Sequence, residues 1–234
     1  MTDYHSVTKN LYVLIDKLYS GNFNHTTPRS EIPENGIYLF FENGERIVID
    51  GILYNRIVRI GTHRKDGNFP GRIRQHYGNK GNLKGSKKGS VFRLHLGGAI
   101  MRKQNPDDPR LPDWLKHMGP NDANIEEEVS RTLRSNFSFI CFPVETKEER
   151  LILESGLISL LAQYPMATPS PQWLGQHSAQ PIIRSTGLWN TQETGKQPLD
   201  DYQLARVASY MELFSRGRAR IADCDQRHEK KNNY

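Results

Sequence analysis

The chain has 234 residues, 36% of them hydrophobic and 25% charged, which suits one folded domain with elaborations and excludes a fully disordered chain. No apolar run approaches the roughly 20 residues a membrane-spanning helix needs, and Met1 to Lys17 lacks the basic-then-apolar layout of a secretory signal, so a cytoplasmic protein is expected. The net charge of +6 is uneven: Arg56 to Arg110 holds 14 Lys/Arg against 3 Asp/Glu, a net +11 that leaves the remainder at −5, and such a block favours a polyanionic partner.

In chain order, Leu11, Leu14, Ile15 and Leu18 recur at helical spacing, so an amphipathic helix is expected between Lys9 and Tyr19. The polar stretch Gly21 to Asn35 reads as a loop. Gly36 to Phe41 is an apolar run that meets Glu42-Asn43-Gly44, predicting a strand that ends in a turn there. Arg56 to Gly61 predicts a second strand paired with the first, and Ile47-Val48-Ile49 either adds a strand or packs in the connection. Gly71 to Tyr77 predicts a short helix, and Gly78 to Gly89, with four glycines and four lysines, a flexible basic loop. Val91 to Met101 predicts another helix, Pro106 to Asn124 a connector, Ile125 to Arg134 a charged helix and Phe137 to Val144 a third strand. Thr146 is the expected N-cap of the next helix, with Glu148 and Glu149 in its first turn. Leu151, Leu153, Leu157, Ile158, Leu160 and Leu161 destine that helix for the interior, and Pro165, Pro169 and Pro171 terminate it. The last third holds Trp173 and Trp189, read as core anchors, a helix from about Asp200 to Phe214, and a polar, mobile tail from Arg216 to Tyr234. The order implies a mixed α/β fold: a small central antiparallel sheet of about three strands flanked by helices. Cys141 lies in an apolar run and reads as a buried thiol, and no CxxC pair points to structural zinc.

Several of these residues form an ordered set. Gly36-Ile37-Tyr38 lies on the first strand and Arg59-Ile60-Gly61 ends the second; Arg72 and His76 follow on a helix, and Glu154 sits within Leu151-Ile152-Leu153-Glu154-Ser155-Gly156-Leu157-Ile158. The set resembles the GIY-YIG nuclease superfamily, which includes homing endonucleases, some restriction enzymes and the nuclease domain of bacterial excision repair. One position departs: Arg59 stands where the family usually has tyrosine, and His63 is a candidate substitute close by. The resemblance covers about Ile32 to Pro165. It implies an N-terminal helix and linker over 1–31, a nuclease core over 32–165 with a basic and helical insertion at about 79–135, and a C-terminal extension over 166–234. By the same resemblance the chain is an endonuclease that hydrolyses phosphodiester bonds in DNA, in restriction, phage defence or mobile-element biology. A catalytically inactive nucleic-acid-binding module on the same fold is the alternative, and Arg59 is its best support.

Phosphodiester hydrolysis needs an activated water, a metal to neutralise charge, a cation on the phosphate and help for the leaving oxygen. Glu154, a carboxylate on a helix bound for the core, is the expected metal ligand, and a single carboxylate anchor suits Mg²⁺ (or Mn²⁺). Arg72 and His76 are four apart and share a helix face, the first to hold a phosphate, the second to relay a proton or orient Tyr38. Tyr38 is the family's candidate general base. Arg59, Arg74, Lys80, Lys84, Lys87, Lys88 and Arg93 are expected to contact nucleic acid, most simply the backbone of double-stranded DNA. His95 has no evident partner and reads as structural. Cutting both strands of a duplex with one active site calls for a homodimer or two successive nicks, and the sequence leaves both open.

Overall fold

Asp50 and Gly51 both take positive φ, 49° and 78°, the two-residue turn whose twist matches that of paired strands. This turn joins β1 (Gly36–Ile49) to β2 (Ile52–Gly61) in one long hairpin. The expected turn at Glu42-Asn43-Gly44 is therefore corrected: β1 runs through it, Glu42 pairs with Phe137, and Gly44 at φ 86° lies in an irregularity of register between Phe41 and Arg46. Ile47-Val48-Ile49 is the far end of β1. A third strand, β3 (Phe137–Pro143), pairs with the other edge of β1, giving the order β2-β1-β3, antiparallel throughout.

The computed structural model describes residues 4–19, 21–79 and 81–231, with 218–231 described by backbone alone. Eight α-helices accompany the sheet among these residues: α1 (Tyr4–Leu18), α2 (Phe69–Tyr77), α3 (Val91–Gln104), α4 (Leu111–Leu115), α5 (Ala123–Asn136), α6 (Lys147–Ala162), α7 (Pro181–Thr186) and α8 (Asp201–Lys231). The mixed α/β expectation holds. The connector before α5 contains α4, and the segment read as a mobile tail continues the backbone of α8 to Lys231. None of the helices is long and apolar enough to cross a membrane.

Alternation along β1 sorts the core into two layers. Ile37, Leu39 and Phe41 face an apolar cluster that includes Val7, Leu11 and Ile15 of α1, Leu153, Leu157 and Leu160 of α6, and Val207 and Met211 of α8. Tyr38 and Phe40 face the other layer, with Phe69, Ile73 and Tyr77 of α2, Phe92 and Leu96 of α3, and Val129 and Leu133 of α5. Trp173 and Trp189 are buried in this second layer, and both indole N–H groups donate to Glu42 Oε2, at 2.9 and 3.2 Å. Burial pushes the Glu42 carboxyl up to about 7, against the pull of the two indoles.

Candidate active site

Tyr38 and His76 meet at the centre of the second layer. Tyr38 comes from the middle strand and His76 from the last turn of α2, and the phenol oxygen lies 2.9 Å from His76 Nε2. The other ring nitrogen, Nδ1, is 2.8 Å from Ser90 Oγ. Ser90 caps α3 by accepting from the Arg93 N–H, so the start of one helix fixes the imidazole at the end of another. Burial, with the charges of Arg72, Arg59 and Arg93, holds the His76 pKa well below the usual histidine range, so the ring is neutral. Tyr38 pairs with Gly61, and a Cβ there would stand 2.1 Å from the phenol oxygen. Only glycine lets the phenol reach the end of β2, which explains the last letter of Arg59-Ile60-Gly61.

Glu154 reaches the same end of β2 from α6. Its Oε1 accepts the backbone N–H of Thr62 at 3.1 Å, and Thr62 Oγ1 donates to Gly36 O at 2.6 Å. The residues flanking the two tripeptides thus hold the carboxylate in place. Burial pushes the half-buried Glu154 carboxyl up to about 6, while Arg59, the Thr62 N–H and Arg72 favour its charged form and Glu193 opposes it. Oε2 of Glu154 has no hydrogen-bond partner among the described residues. No group of three His, Cys, Asp or Glu side chains that could hold a metal gathers among them. One open carboxylate oxygen without a protein cage fits an ion that keeps most of its waters.

The remaining expected residues divide by burial. Arg72 is half-buried, and its guanidinium donates to Gln75 Oε1 and Gly89 O at 3.1 and 2.8 Å. His63 is buried, with Nδ1 3.3 Å from Thr62 Oγ1 and Nε2 2.9 Å from Asn35 Oδ1. One nitrogen thus contacts the threonine that holds Glu154, and the other the loop residue Asn35. Arg59 is 7% exposed, lies over the Phe92 ring at 4.8 Å and donates to Trp189 O at 2.6 Å.

Among the described residues, four cations of the basic block, Arg56, Arg59, Lys87 and Arg93, lie inside the protein, and for Lys87 and Arg93 this corrects the expectation that they contact nucleic acid. Lys87 is fully buried, with Nζ donating to the carbonyls of Asp113, Trp114 and Lys116 at the end of α4. Arg93 is fully buried and donates to Glu126, His76 O and Ser130. Arg74, Lys84 and Lys88 are exposed, while Lys80 lies outside the described residues. Arg74 and Lys84 line a groove of about 820 Å³ beside α2, together with Arg29 and Arg134.

Sequence reasoning missed Thr62, Ser90 and Asn190. Asn190 clasps Ile60 of β2, accepting from its N–H at 3.0 Å and donating to its C=O at 2.9 Å. The neighbouring Trp189 N–H donates to Val58 O at 2.7 Å, so a C-terminal segment satisfies the outer edge of β2. Ser90 had a local signal, a serine directly before the apolar run of α3. Thr62 and Asn190 had none, because their partners lie far away in sequence.

A strand tyrosine on a buried histidine and a carboxylate at the end of the neighbouring strand thus gather near two arginines, Arg59 and Arg72, whose charges act on both His76 and Glu154. A family model described as the GIY-YIG domain matches residues 2–216, and the chain belongs to that family, which is of nuclease type. No curated protein and no solved structure matches the chain.

Proposed function

We propose that the protein is a metal-dependent endonuclease acting on double-stranded DNA. The observation that carries this reading is the arrival of Glu154, from an otherwise apolar helix, at the end of β2 beside Tyr38, with one oxygen tied to Thr62 and the other open. Glu154 would hold a Mg²⁺ or Mn²⁺ ion, which when bound supplies charge neutralisation on the phosphate. Tyr38 would take a proton from the attacking water as its own passes to His76 Nε2, 2.9 Å away. The water oxygen bonds to phosphorus, the bond to the leaving sugar oxygen breaks, and that oxygen takes a proton from solvent. Arg72 would neutralise the non-bridging oxygens. Arg74, Lys84 and Lys88 would contact the backbone beyond the cut. Residues 32–165 serve as the core in this reading, and the C-terminal extension braces β2. Double-strand breaks would arise from a homodimer or two successive nicks.

Incubation with supercoiled plasmid in Mg²⁺ or Mn²⁺ tests the proposal. Nicked or linear product that disappears with a chelator is the expected result, and cleavage that persists in chelator contradicts it. A second reading, binding without cleavage, draws support from the burial of Tyr38, which is 1% exposed. Plasmid that is retained by the protein yet intact with both ions would favour that reading.

A further inference from the structure

Among the described residues, four arginines are at least nine-tenths buried: Arg56, Arg59, Arg93 and Arg150. Three of them pair with a carboxylate, Arg56 with Glu45, Arg93 with Glu126 and Arg150 with Asp66. Arg59 has no carboxylate within salt-bridge distance among the described residues. Its Nη1 donates to one backbone carbonyl, that of Trp189, its Nε has no partner, and Nη2 makes no hydrogen bond to any described group. A buried charge with no carboxylate in contact is costly in general; stacking on Phe92 offsets part of that, and Glu154 acts on it only from beyond salt-bridge distance. An arginine held in this state is a receptor short of its anion.

The backbone aims it. Phe40 pairs with Arg59 and the next residue, Phe41, with Ile57, so Val58 is an extra residue in β2. This bulge turns Arg59 onto the Tyr38 face of the sheet, two residues before the Gly61 that covers the phenol. Trp189 and Asn190 bond β2 on both sides of the guanidinium, at Val58 and Ile60, and hold the bulge in place. The charge of Arg59 is felt by both Glu154 and His76.

We propose that Arg59 is a catalytic residue that binds the negatively charged oxygens of the scissile phosphate, in the place where the family usually presents a tyrosine. That the anion is a nucleic-acid phosphate rests on the nuclease reading; that the site takes a phosphate-like anion rests on the unpaired guanidinium. Arg59 then complements Arg72: one cation comes from the sheet, held rigidly by the bulge, and one from α2. Charge that grows on the phosphate in the transition state meets the buried cation where water is excluded and its effect is large.

The test uses the full chain and three forms: wild type, Arg59→Met and Arg59→Lys. Thermal unfolding is followed in sodium phosphate and in sodium chloride at matched ionic strength. The wild type should gain a few degrees in phosphate over chloride by ligand linkage, Arg59→Met should lose most of that difference, and Arg59→Lys should keep part of it. In single-turnover cleavage at saturating DNA, Arg59→Met should be slower by on the order of 10²–10³-fold, as for loss of a transition-state donor, and Arg59→Lys by less. A phosphate-specific gain of equal size in wild type and Arg59→Met overturns the proposal, as does its absence from the wild type. An Arg59→Met rate equal to wild type at saturation also overturns it. A lower melting temperature for Arg59→Met in chloride, with the phosphate gain intact, would assign Arg59 a packing role and refute the anion site. Should the wild type cut no DNA at all, the nuclease reading fails while the phosphate comparison still decides whether Arg59 receives an anion.

Discussion

The two faces of the sheet share their strands and differ in what they bury. The face under α1, α6 and α8 is covered by aliphatic side chains and a few aromatic ones. The face under α2, α3 and α5 encloses Tyr38, Arg59, His76, Arg93 and Glu126 along with its aromatic rings. Burying apolar surface is favourable wherever shapes match, whereas each buried polar group must find a partner or cost stability. The first face therefore serves stability alone, and the second is stable only where its polar groups find partners; in the proposed reading some of that stability is given up for chemistry. Glu154 joins the two. It is carried by a helix of the apolar face, but its carboxylate passes the end of β2 to reach the polar one.

Substitutions on the polar face should separate rate from stability, and the largest effect is expected at Tyr38. Tyr38→Phe keeps the ring packed on Phe40 and Phe69 and removes only the oxygen facing His76. Single-turnover cleavage should fall by about 10²–10⁴-fold, the usual range for a proton-transfer group, with a stability loss near 1 kcal/mol for one hydrogen bond. A rate within a few-fold of wild type would make Tyr38 a packing residue and reduce the polar face to a second core.

Arg93 sharpens the comparison from the other side, because its polar groups are structural. Arg93→Met leaves Glu126 buried without its cation and should cost about 3–5 kcal/mol in urea unfolding. A loss below ~1 kcal/mol would mean that Glu126 finds another partner or is protonated.

Glu42 gives the polar face a pH signature. Its folded pKa of about 7 lies above the ordinary 4.5, so the folded state holds a proton that the unfolded state has released between those values. The stabilisation is fully present below about pH 4.5 and is lost as pH rises through 7. Denaturation midpoints measured from pH 4.5 to 7.5 should carry this falling contribution, and Glu42→Gln should remove it. An unchanged slope in Glu42→Gln would place the titration elsewhere.

The smallest effect is expected outside both faces. Replacing exposed Lys84 and Lys88 with alanine should weaken DNA binding at every sequence and lower the slope of log K against log salt by about two. Replacing Lys87 should leave that slope unchanged and lower stability, because its ammonium caps α4 from within.

That contrast marks where the sequence was readable. Tyr38, His76 and Glu154 were named through the resemblance to the family, and what the local patterns supplied was the elements that carry them: an apolar strand, a short helix and a leucine-rich helix. Lys87 and Arg93 were misplaced because counting charge along the chain is blind to burial. The acceptors that draw them inward, at the end of α4 and at Glu126, lie 26 to 33 residues away. The hairpin turn was placed at Glu42-Asn43-Gly44 although Asp50-Gly51 is the stronger two-residue signal, since the bulged middle of β1 interrupts its alternation. The clasp of Asn190 on Ile60 joins residues 130 apart, and no local pattern encodes it.

The division between the faces is tested most directly by two variants three residues apart on α6, Glu154→Gln and Leu157→Ala, each assayed for urea unfolding and for single-turnover plasmid cleavage in Mg²⁺. Glu154→Gln should unfold within about 0.5 kcal/mol of wild type and show no cleavage above background. Leu157→Ala, which empties a site in the apolar core, should lose about 2–5 kcal/mol and, wherever it remains folded, cut at close to the wild-type rate. Cleavage by Glu154→Gln, or a loss of stability in it as large as that of Leu157→Ala, would contradict the account.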